Sequence, residues 1–361
     1  MILRKNLYLK LSIALLIISS AVFISLSNNY SNKEIIKNAF PLLADNLKYI
    51  DEITIENAAG KYNLKKKNNS WKLINYNEYP VDTKKINLLF LQLANSSFLD
   101  TKEINTNHYS KLGINYPITE DTEATRIIIS SQKELIYDFL LGKKKGKGKS
   151  YKVNYFRRTN EKVVYLLKNE IELYEKELLW ADTDFIKIAR WRIKEIAVFK
   201  NLNDYLFKIY RDDYASQNYK MDNFSNNNEV LNSSSLFSLA AVFEGLKILD
   251  VIPFLSESDH KNIKINKKIK IETFDGLSLI LNLIKINNNN FIRVNASSDK
   301  KIRQELPNNG EAIVGIPKMK SFENVIKEEE KIKLSKNWLY KIDEESFNQL
   351  NKNKTDYLQK K

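Results

Sequence analysis

The first 26 residues place the strongest constraint on what this chain can fold into. No charged side chain occurs between Leu11 and Leu26, where the sequence reads LSIALLIISSAVFISL. Counted from Leu7, the apolar segment has about twenty residues, enough for a helix to cross a hydrocarbon core of roughly 30 Å. The rest of the chain is polar and rich in lysine. The sequence therefore predicts one N-terminal transmembrane helix, residues 7–26, followed by a globular chain.

Basic residues set the predicted orientation of this helix. Arg4, Lys5 and Lys10 precede the charge-free run, whereas Lys33 and Lys37 follow it at a distance. Positively charged flanks of a membrane helix stay on the cytoplasmic side. We therefore expect a single-pass protein of the inner (cytoplasmic) membrane, with its N-terminus in the cytoplasm and the bulk of the chain periplasmic or otherwise extracytoplasmic.

A cleaved signal peptide is the main alternative to a retained anchor. Ser25 and Ser27 offer small residues that a signal peptidase could read, although the apolar run is long for such a peptide. A buried core helix is a third interpretation, which the basic residues before the run disfavour. The sequence leaves open whether the segment is retained or removed.

Composition indicates packed domains without covalent cross-links. The chain has 361 residues, 43% of them apolar, which suits two domains of ordinary size after the anchor. Because it contains no cysteine, disulfides, thiolate metal sites, thiol nucleophiles and a lipid-modified cysteine are excluded. The net charge of +14 comes mostly from scattered lysines, which indicates a solvated basic surface. Export also argues against nucleic acid as a partner.

One pattern of elements occurs twice after the anchor. The hairpin predicted at 50–69 resembles the one at 193–212, about 140 residues later. An amphipathic helix follows each hairpin, after Asp82 and within 231–249, and further strands follow each helix. We therefore expect an α+β fold in which the anchor precedes two similar modules of antiparallel strands packed with amphipathic helices. The predicted division is a cytoplasmic tail and anchor at 1–27, a linker at 28–48, a first module at 49–192 and a second at 193–361.

Local signals refine this layout. Asn68 and Asn69 suit a two-residue hairpin turn, because asparagine tolerates positive φ. Asp82 or Thr83 is a suitable N-cap for the first amphipathic helix. A further helix is predicted from Glu170, and Ser233 or Ser234 is the predicted cap of the second amphipathic helix.

The lysine-rich stretch Gly142–Ser150, with the sequence GKKKGKGKS, resembles a phosphate-binding loop only superficially. Five residues separate Gly142 from Gly148 where such a loop has four, and the pattern after Ser150 indicates a strand where a helix is needed. We predict a basic β-hairpin loop and no nucleotide partner. The candidate contacts to a ligand or polyanion are Lys143, Lys144, Lys145, Lys147 and Lys149.

No combination of residues indicates a catalytic or metal site. The two histidines, His108 and His260, lie in separate predicted loops, and no Gly-x-Ser-x-Gly motif is present. The acidic pairs and runs at 212–213 and 328–330 are interpreted as solvated surface. Trp71, Trp180, Trp191 and Trp338 are interpreted as packing residues in preference to ligand-stacking ones. The sequence therefore predicts no catalytic residue, metal or cofactor.

A series of short motifs carries a family resemblance. Trp71, Tyr79-Pro80-Val81-Asp82, Tyr109–Pro117, Leu141-Gly142 and Trp180-Ala181-Asp182 occur in an order that resembles the domain-of-unknown-function 4340 family. The matching positions are interpreted as structural, and the match weakens after about Ala197. These structural motif residues are Trp71, Tyr79, Pro80, Asp82, Leu112, Gly113, Pro117, Gly142, Trp180 and Asp182.

The resemblance implies a membrane-anchored bacterial envelope protein, of a kind often associated with accessory subunits of ABC transporters similar to those of gliding motility. It implies no catalytic residue. We therefore expect a non-enzymatic accessory or binding protein. Its expected partners are the membrane, through residues 7–26, and permease or accessory subunits of an ABC transporter. A module that binds an envelope polymer or another polyanion is the alternative, and an envelope hydrolase is less expected.

Overall fold

A computed structural model describes the chain from Asn38 onward, with short gaps. The described residues are 38–132, 134–145, 153–183, 187–200, 204–222, 224, 229–254, 263–304 and 317–360. The predicted anchor and the first part of the predicted linker lie outside them. No helix within these ranges combines the length and the apolar composition that a membrane crossing needs.

Two antiparallel sheets and a few helices form the described structure, which confirms the predicted α+β class. The strands of the first sheet are β1 (Glu52–Asn57), β2 (Gly60–Lys67), β3 (Ser70–Leu73), β4 (Tyr79–Pro80), β5 (Ser97–Glu103), β6 (Thr125–Ser131), β7 (Glu134–Lys145), β8 (Val153–Arg158) and β9 (Val163–Lys168). Their spatial order is β4-β3-β2-β1-β6-β7-β8-β9-β5. Pro80 lies in an edge strand, where its missing N–H group costs no ladder bond.

The second sheet has eight strands and is accompanied by a two-stranded ribbon. Its strands are β10 (Ile193–Lys200), β11 (Asp204–Tyr210), β12 (Lys220–Met221), β14 (Ile248–Pro253), β15 (Lys264–Thr273), β16 (Leu277–Ile286), β17 (Asn289–Ser298) and β18 (Trp338–Ile342), while β13 (Glu229–Leu231) pairs with β19 (Leu358–Lys360). The spatial order is β12-β11-β10-β15-β16-β17-β18-β14.

Apart from the additional edge strand β4 in the first sheet, both sheets follow the same strand order. In each, the first strand of a hairpin (β1–β2 or β10–β11) lies beside the first strand of a four-stranded meander. The last strand of that meander, β9 or β18, lies beside the strand that follows the amphipathic helix, β5 or β14. The arrangement that occurs twice in the sequence thus corresponds to two sheets of one topology.

The two amphipathic helices lie where the sequence predicts them, after Asp82 and within 231–249, whereas the helix at Phe322–Lys333 was not predicted. Asn232 caps the second amphipathic helix by accepting a hydrogen bond from Ser235 N at 3.1 Å, so the predicted Ser233 or Ser234 cap is wrong by one residue or two. The helix predicted from Glu170 is also wrong, since that stretch contains only a short 3-10 turn at Glu177–Trp180. The helices are α1 (Leu43–Asn46), α2 (Thr83–Ala94), α3 (Tyr109–Leu112), α4 (Ser233–Gly245), α5 (Phe322–Lys333) and α6 (Glu344–Leu350).

The chain forms two compact units. Unit 1 contains the described residues up to Ile50, together with Thr54–Lys61 and Asn87–Leu173. Unit 2 contains Asp51–Ile53, Tyr62–Ile86 and Tyr174–Lys361. The module bounds predicted from the sequence repeat, 49–192 and 193–361, stay a prediction.

Aromatic side chains build the core of unit 1. Phe40 is fully buried, and its ring centre lies 5.0 Å from that of Phe139 and 5.7 Å from that of Phe156. Edge-to-face packing of this kind stabilises a core beyond its buried area. Residues 38–48, the described part of the predicted linker, therefore belong in part to the packed core.

Candidate functional site

The lysine-rich hairpin is the ligand contact that the sequence singled out. Strand β7 continues to Lys145, so the first four residues of the stretch predicted as a loop, Gly142–Ser150, are part of a strand. Lys143 Nζ lies 3.2 Å from Glu123 Oε1, and Lys144 forms an ion pair with Glu170. These two carboxylates neutralise part of the charge that the hairpin could offer to a polyanion. Lys147 and Lys149 lie outside the described residues.

The Gly142 and Leu112-Gly113 motifs meet in unit 1. Gly113 has a φ of 65° and ends α3 in the left-handed conformation that favours glycine. A Cβ atom added to Gly142 would lie 2.3 Å from the carbonyl oxygen of Leu112 and 2.8 Å from that of Gly113. Both glycines thus allow β7 and the turn after α3 to approach closely. Pro117 follows the same turn with a cis peptide bond.

The other family motifs meet in unit 2. The buried Tyr79 hydroxyl donates to the carbonyl oxygen of Asp182 at 2.9 Å. Asp82 caps α2, with its Oδ1 accepting from Lys84 N at 2.9 Å, and its own N–H donates to the carbonyl oxygen of Trp180 at 2.8 Å. The Trp180 side chain is fully buried and donates from Nε1 to the Tyr62 hydroxyl at 3.0 Å.

Two further features of this cluster involve charge and packing. The Asp182 carboxylate lies 2.9 Å from Lys331 Nζ. Trp71 is half-buried, so it is not the core residue that the motif suggested, although its carbonyl oxygen accepts from Val81 N at 3.0 Å. The motif residues thus form backbone hydrogen bonds and a helix cap, and they hold together segments about 100 residues apart.

Two residues of the acidic run at 328–330, Glu328 and Glu329, are not solvated surface, which corrects the sequence interpretation, whereas Glu330 is exposed as expected. Arg192 is buried and forms bidentate ion pairs with Asp275, at 2.7 and 3.2 Å, and with Glu328, at 2.8 Å for both bonds. Burial alone would raise the pKa of Glu328, but the hydrogen bonds from Arg192 lower it below its ordinary value. Glu329 is also buried, and it accepts a hydrogen bond from Ser298.

A cavity of about 300 Å³ in unit 2, lined by aromatic and charged side chains, is a candidate for a ligand site. Trp191 and Tyr214 form one wall, with their ring centres 5.8 Å apart. The Tyr214 hydroxyl donates to the carbonyl oxygen of Pro317 at 2.7 Å, and the Tyr219 hydroxyl donates to that of Arg190 at 3.2 Å. Because both hydroxyl groups donate to backbone carbonyl oxygens, the rings of Tyr214 and Tyr219 are held in place and form aromatic walls of the cavity.

One of the charged groups that line the cavity is Arg211, which is only 6% exposed. Its guanidinium donates to the carbonyl oxygens of Trp191, Ile193 and Ser216, at 2.5 to 3.1 Å. It forms no ion pair with a carboxylate of the described residues. Burial lowers the pKa of Arg211, because neutral carbonyl groups replace water at the guanidinium, and the negative charge of Asp213 opposes this shift only in part.

Arg190 also lines the cavity, and unlike Arg211 it has a carboxylate partner, Glu244. Arg190 lies over the ring of Phe237, 4.1 Å from its centre, and its Nε is 3.8 Å from Glu244 Oε2. Glu244 also accepts from Arg190 N at 2.8 Å. The cavity thus combines aromatic walls with two guanidinium groups and one carboxylate. This arrangement suits a small ligand with an apolar body and one anionic group.

Sequence reasoning missed this cavity and assigned Trp191 to packing. Its arginines and tyrosines come from 190–191 and 211–219, and α4 and Pro317 supply the rest. The available signal was the stretch YRDDYASQNY after β11, where Arg211 lies among three tyrosines. His108 lies in a 3-10 turn and His260 lies outside the described residues. The described residues bring together no group of three metal-binding side chains.

Comparison with models of known protein families gives a match. The family model of a domain of unknown function, DUF4340, matches residues 71–268, which is more than half of the chain. A search of curated proteins gives no match. The matched range begins at Trp71 and includes both motif clusters as well as most of the residues that line the cavity. The chain therefore belongs to the DUF4340 family.

Proposed function

We propose that this chain is a non-enzymatic, membrane-anchored binding protein of the extracytoplasmic space that serves as an accessory to an ABC-type transporter. The charge-free run at 11–26, with its basic residues on the N-terminal side, supports the anchor and its orientation. Membership of the DUF4340 family is compatible with this role, and the link to a transporter comes from the resemblance described above. The two sheets of one topology support a proposed duplication of an ancestral module.

The observation that carries the binding function is the cavity beside Arg211. A buried guanidinium without a carboxylate partner among the described residues is costly to fold, and an anionic ligand group would offset that cost. The aromatic walls would take the apolar part of the same ligand. The proposed ligand class is accordingly a small organic anion.

Binding of a polyanion at the hairpin is the alternative function, and the ion pairs at Lys143 and Lys144 weaken the case for it. We therefore place ligand recognition in the cavity. An envelope hydrolase has no positive support from the described residues.

The transporter association is tested by isolating the full chain from detergent-solubilised membranes with a C-terminal tag. Permease and ATPase subunits should co-purify in near-stoichiometric amounts, as identified by mass spectrometry. A tagged inner-membrane protein with an unrelated soluble part is the control for detergent carry-over. Recovery of the chain alone, under conditions that preserve known transporter complexes, would contradict the accessory role.

A further inference from the structure

One end of the β6–β7 hairpin in unit 1 exposes apolar side chains close to the point where the described chain begins. Leu42 and Tyr49 follow Asn38 on the first described segment and are 59% and 53% exposed. Leu135, at the start of β7, is 60% exposed. Each of these side chains would gain free energy by leaving water.

These three residues lie at one end of the β6–β7 hairpin. The Leu42 N–H donates to the Tyr137 hydroxyl at 3.1 Å. Leu135 pairs with Ser130, next to the Ile129–Tyr137 pair, and the β-bulge between the two pairs places its side chain on the other face of the hairpin from Tyr137. Ser131, at the end of β6, donates from Oγ to the carbonyl oxygen of Tyr49 at 2.7 Å. We call Leu42, Tyr49 and Leu135 the hairpin-end patch.

The composition of this patch resembles that of a membrane interface. Lys48 Nζ lies 4.6 Å from the centre of the Tyr49 ring, so a cationic and an aromatic side chain lie side by side. Tyrosine is enriched at the level of lipid headgroups, lysine extends its amine towards phosphate, and leucine partitions into acyl chains.

The sequence before the patch limits how far it can lie from a bilayer. The predicted anchor ends at Leu26, and the residues from there to Asn38 span at most about 40 Å when fully extended. A tether of this length keeps the local concentration of membrane surface around the patch high. An apolar area too small to bind a free protein to lipid can then hold a tethered one.

We infer that the hairpin-end patch lies on the outer surface of the bilayer that holds the anchor. Leu42 and Leu135 enter the boundary between headgroups and acyl chains, and Tyr49 lies among the headgroups. The inference rests on the proposed membrane anchoring and adds to it a fixed orientation of unit 1. The hairpin-end patch thus contacts lipid. Neither a second copy of the chain nor the chain's own first 37 residues covers it.

The absence of cysteine allows a direct test with the full chain. Single variants Leu42→Cys and Leu135→Cys carry a bimane label after reconstitution into vesicles of phosphatidylcholine and phosphatidylglycerol. Glu120→Cys is the matched control. Glu120 is exposed in the same unit and precedes Thr125, the first residue of β6, whereas the patch lies at the other end of that strand, Ser131. The strand itself is roughly 20 Å long. Nitroxide groups on the lipid acyl chains report contact with the bilayer, and iodide reports contact with water.

We expect lipid nitroxides to quench the labels at positions 42 and 135 at least about twofold more than the label at position 120, and iodide to show the reverse order. If the chain sediments with vesicles but iodide quenches all three labels alike, the inference fails while the anchoring stands. If the labels at 42 and 135 are protected from both quenchers, protein covers the patch and the inference also fails. If the chain does not sediment with vesicles, the anchoring fails and the inference fails with it.

Discussion

The backbone at Gly142 lies so close to Leu112 that an added Cβ atom would be 2.3 Å from the Leu112 carbonyl oxygen. Real Cβ atoms are not found at this distance from a backbone oxygen, and the backbone cannot move aside as a flexible side chain can. Gly142→Ala should therefore destabilise unit 1 by about 1–3 kcal/mol or more, because strand and turn must separate. The measurement is the free energy of unfolding in urea, followed by circular dichroism.

Gly245→Ala is the control for this substitution. Gly245 ends α4, and a Cβ added there would meet no atom within 4 Å. Because alanine favours a helix over glycine, this variant should be as stable as the wild type or more stable by up to about 1 kcal/mol. Equal stabilities of the two variants would contradict the close packing at Gly142.

The strand pattern could be predicted from sequence wherever local signals agreed with the final contacts. Asn68 and Asn69 have φ angles of 48° and 60°, as the predicted two-residue turn between β2 and β3 requires. Asp82 caps α2 as expected. Such signals depend on neighbouring residues alone, so the sequence contains all the information that they need.

Long-range partners explain the errors. Where a helix was expected from Glu170, the N–H groups of Ile171 and Glu172 donate to side chains that are distant in sequence, Asn154 Oδ1 at 3.1 Å and Gln92 Oε1 at 3.0 Å, so long-range contacts hold this stretch. The side-chain amide oxygens of Asn154 and Gln92 thus accept hydrogen bonds from these two backbone N–H groups, and no helix is needed to pair them. Glu328 was assigned to the surface for a similar reason, since its partner Arg192 lies 136 positions earlier in the chain. No local pattern reveals either pairing.

The buried pair of Arg192 and Asp275 predicts a large effect from a small substitution. Asp275→Asn keeps the shape of the side chain and removes the charge opposite a guanidinium whose side chain is only 3% exposed. Breaking one partner of a buried ion pair costs about 3–5 kcal/mol, and Glu328 retains part of the pairing here, so we expect a loss near the lower value. The free energy of unfolding measures this loss.

An exposed ion pair provides the comparison. Glu323 and Lys327 lie one helical turn apart on α5, and both are largely exposed to solvent. Glu323→Gln should leave the free energy of unfolding close to that of the wild type, because water screens an exposed ion pair. A similar cost for both variants would show that the Arg192 network contributes no more than a surface pair.

The cavity beside Arg211 predicts selectivity for anions. Naphthalene-2-sulfonate should bind about tenfold more tightly than the neutral naphthalene-2-sulfonamide, since one good charged contact contributes about 1.4 kcal/mol. Isothermal titration of the full chain in detergent measures both affinities. Equal affinity for the two compounds would contradict an anionic ligand.

Substitutions at the Arg190–Glu244 pair test whether naphthalene-2-sulfonate binds in the cavity. Glu244→Gln removes a negative charge from the cavity but keeps an oxygen that can accept from Arg190 N, so the sulfonate should bind about three- to tenfold more tightly. Arg190→Gln should weaken binding by a similar factor. If neither variant changes the affinity, the sulfonate binds outside the cavity.

The lysine-rich hairpin predicts little preference for polyanions, because Lys143 and Lys144 already have carboxylate partners. A variant with all five lysines (143, 144, 145, 147 and 149) changed to glutamine is compared with one in which five lysines elsewhere are changed (264, 300, 301, 318 and 336). Both have the same net charge, so both should elute from immobilised heparin at the same salt concentration. Elution of the hairpin variant at least about 0.1 M NaCl earlier would favour the polymer-binding alternative.

Lys267 predicts how stability depends on pH in the alkaline range. Its side chain is buried, and Nζ donates to the carbonyl oxygens of Asn351, at 2.6 Å, and Lys352, and to Asn353 Oδ1 at 3.2 Å. Burial lowers the pKa of this lysine from 10.5 to about 8, because its partners are neutral and only Asp356 opposes the shift. In the unfolded chain the lysine regains its ordinary pKa.

Between pH 8 and 10.5 the unfolded chain therefore binds more protons at this position than the folded chain, and the free energy of unfolding should rise with pH. We expect a rise of about 1–3 kcal/mol for the wild type relative to Lys267→Met, which has no group to titrate there. Urea unfolding at pH 7.5, 9 and 10 measures the difference, and comparison with this variant cancels the titration of tyrosines and other lysines. Lys264→Met, an exposed position on the same strand, should follow the wild type at every pH. A Lys267→Met variant whose stability also follows the wild-type pH dependence would show that the buried lysine titrates at its ordinary pKa.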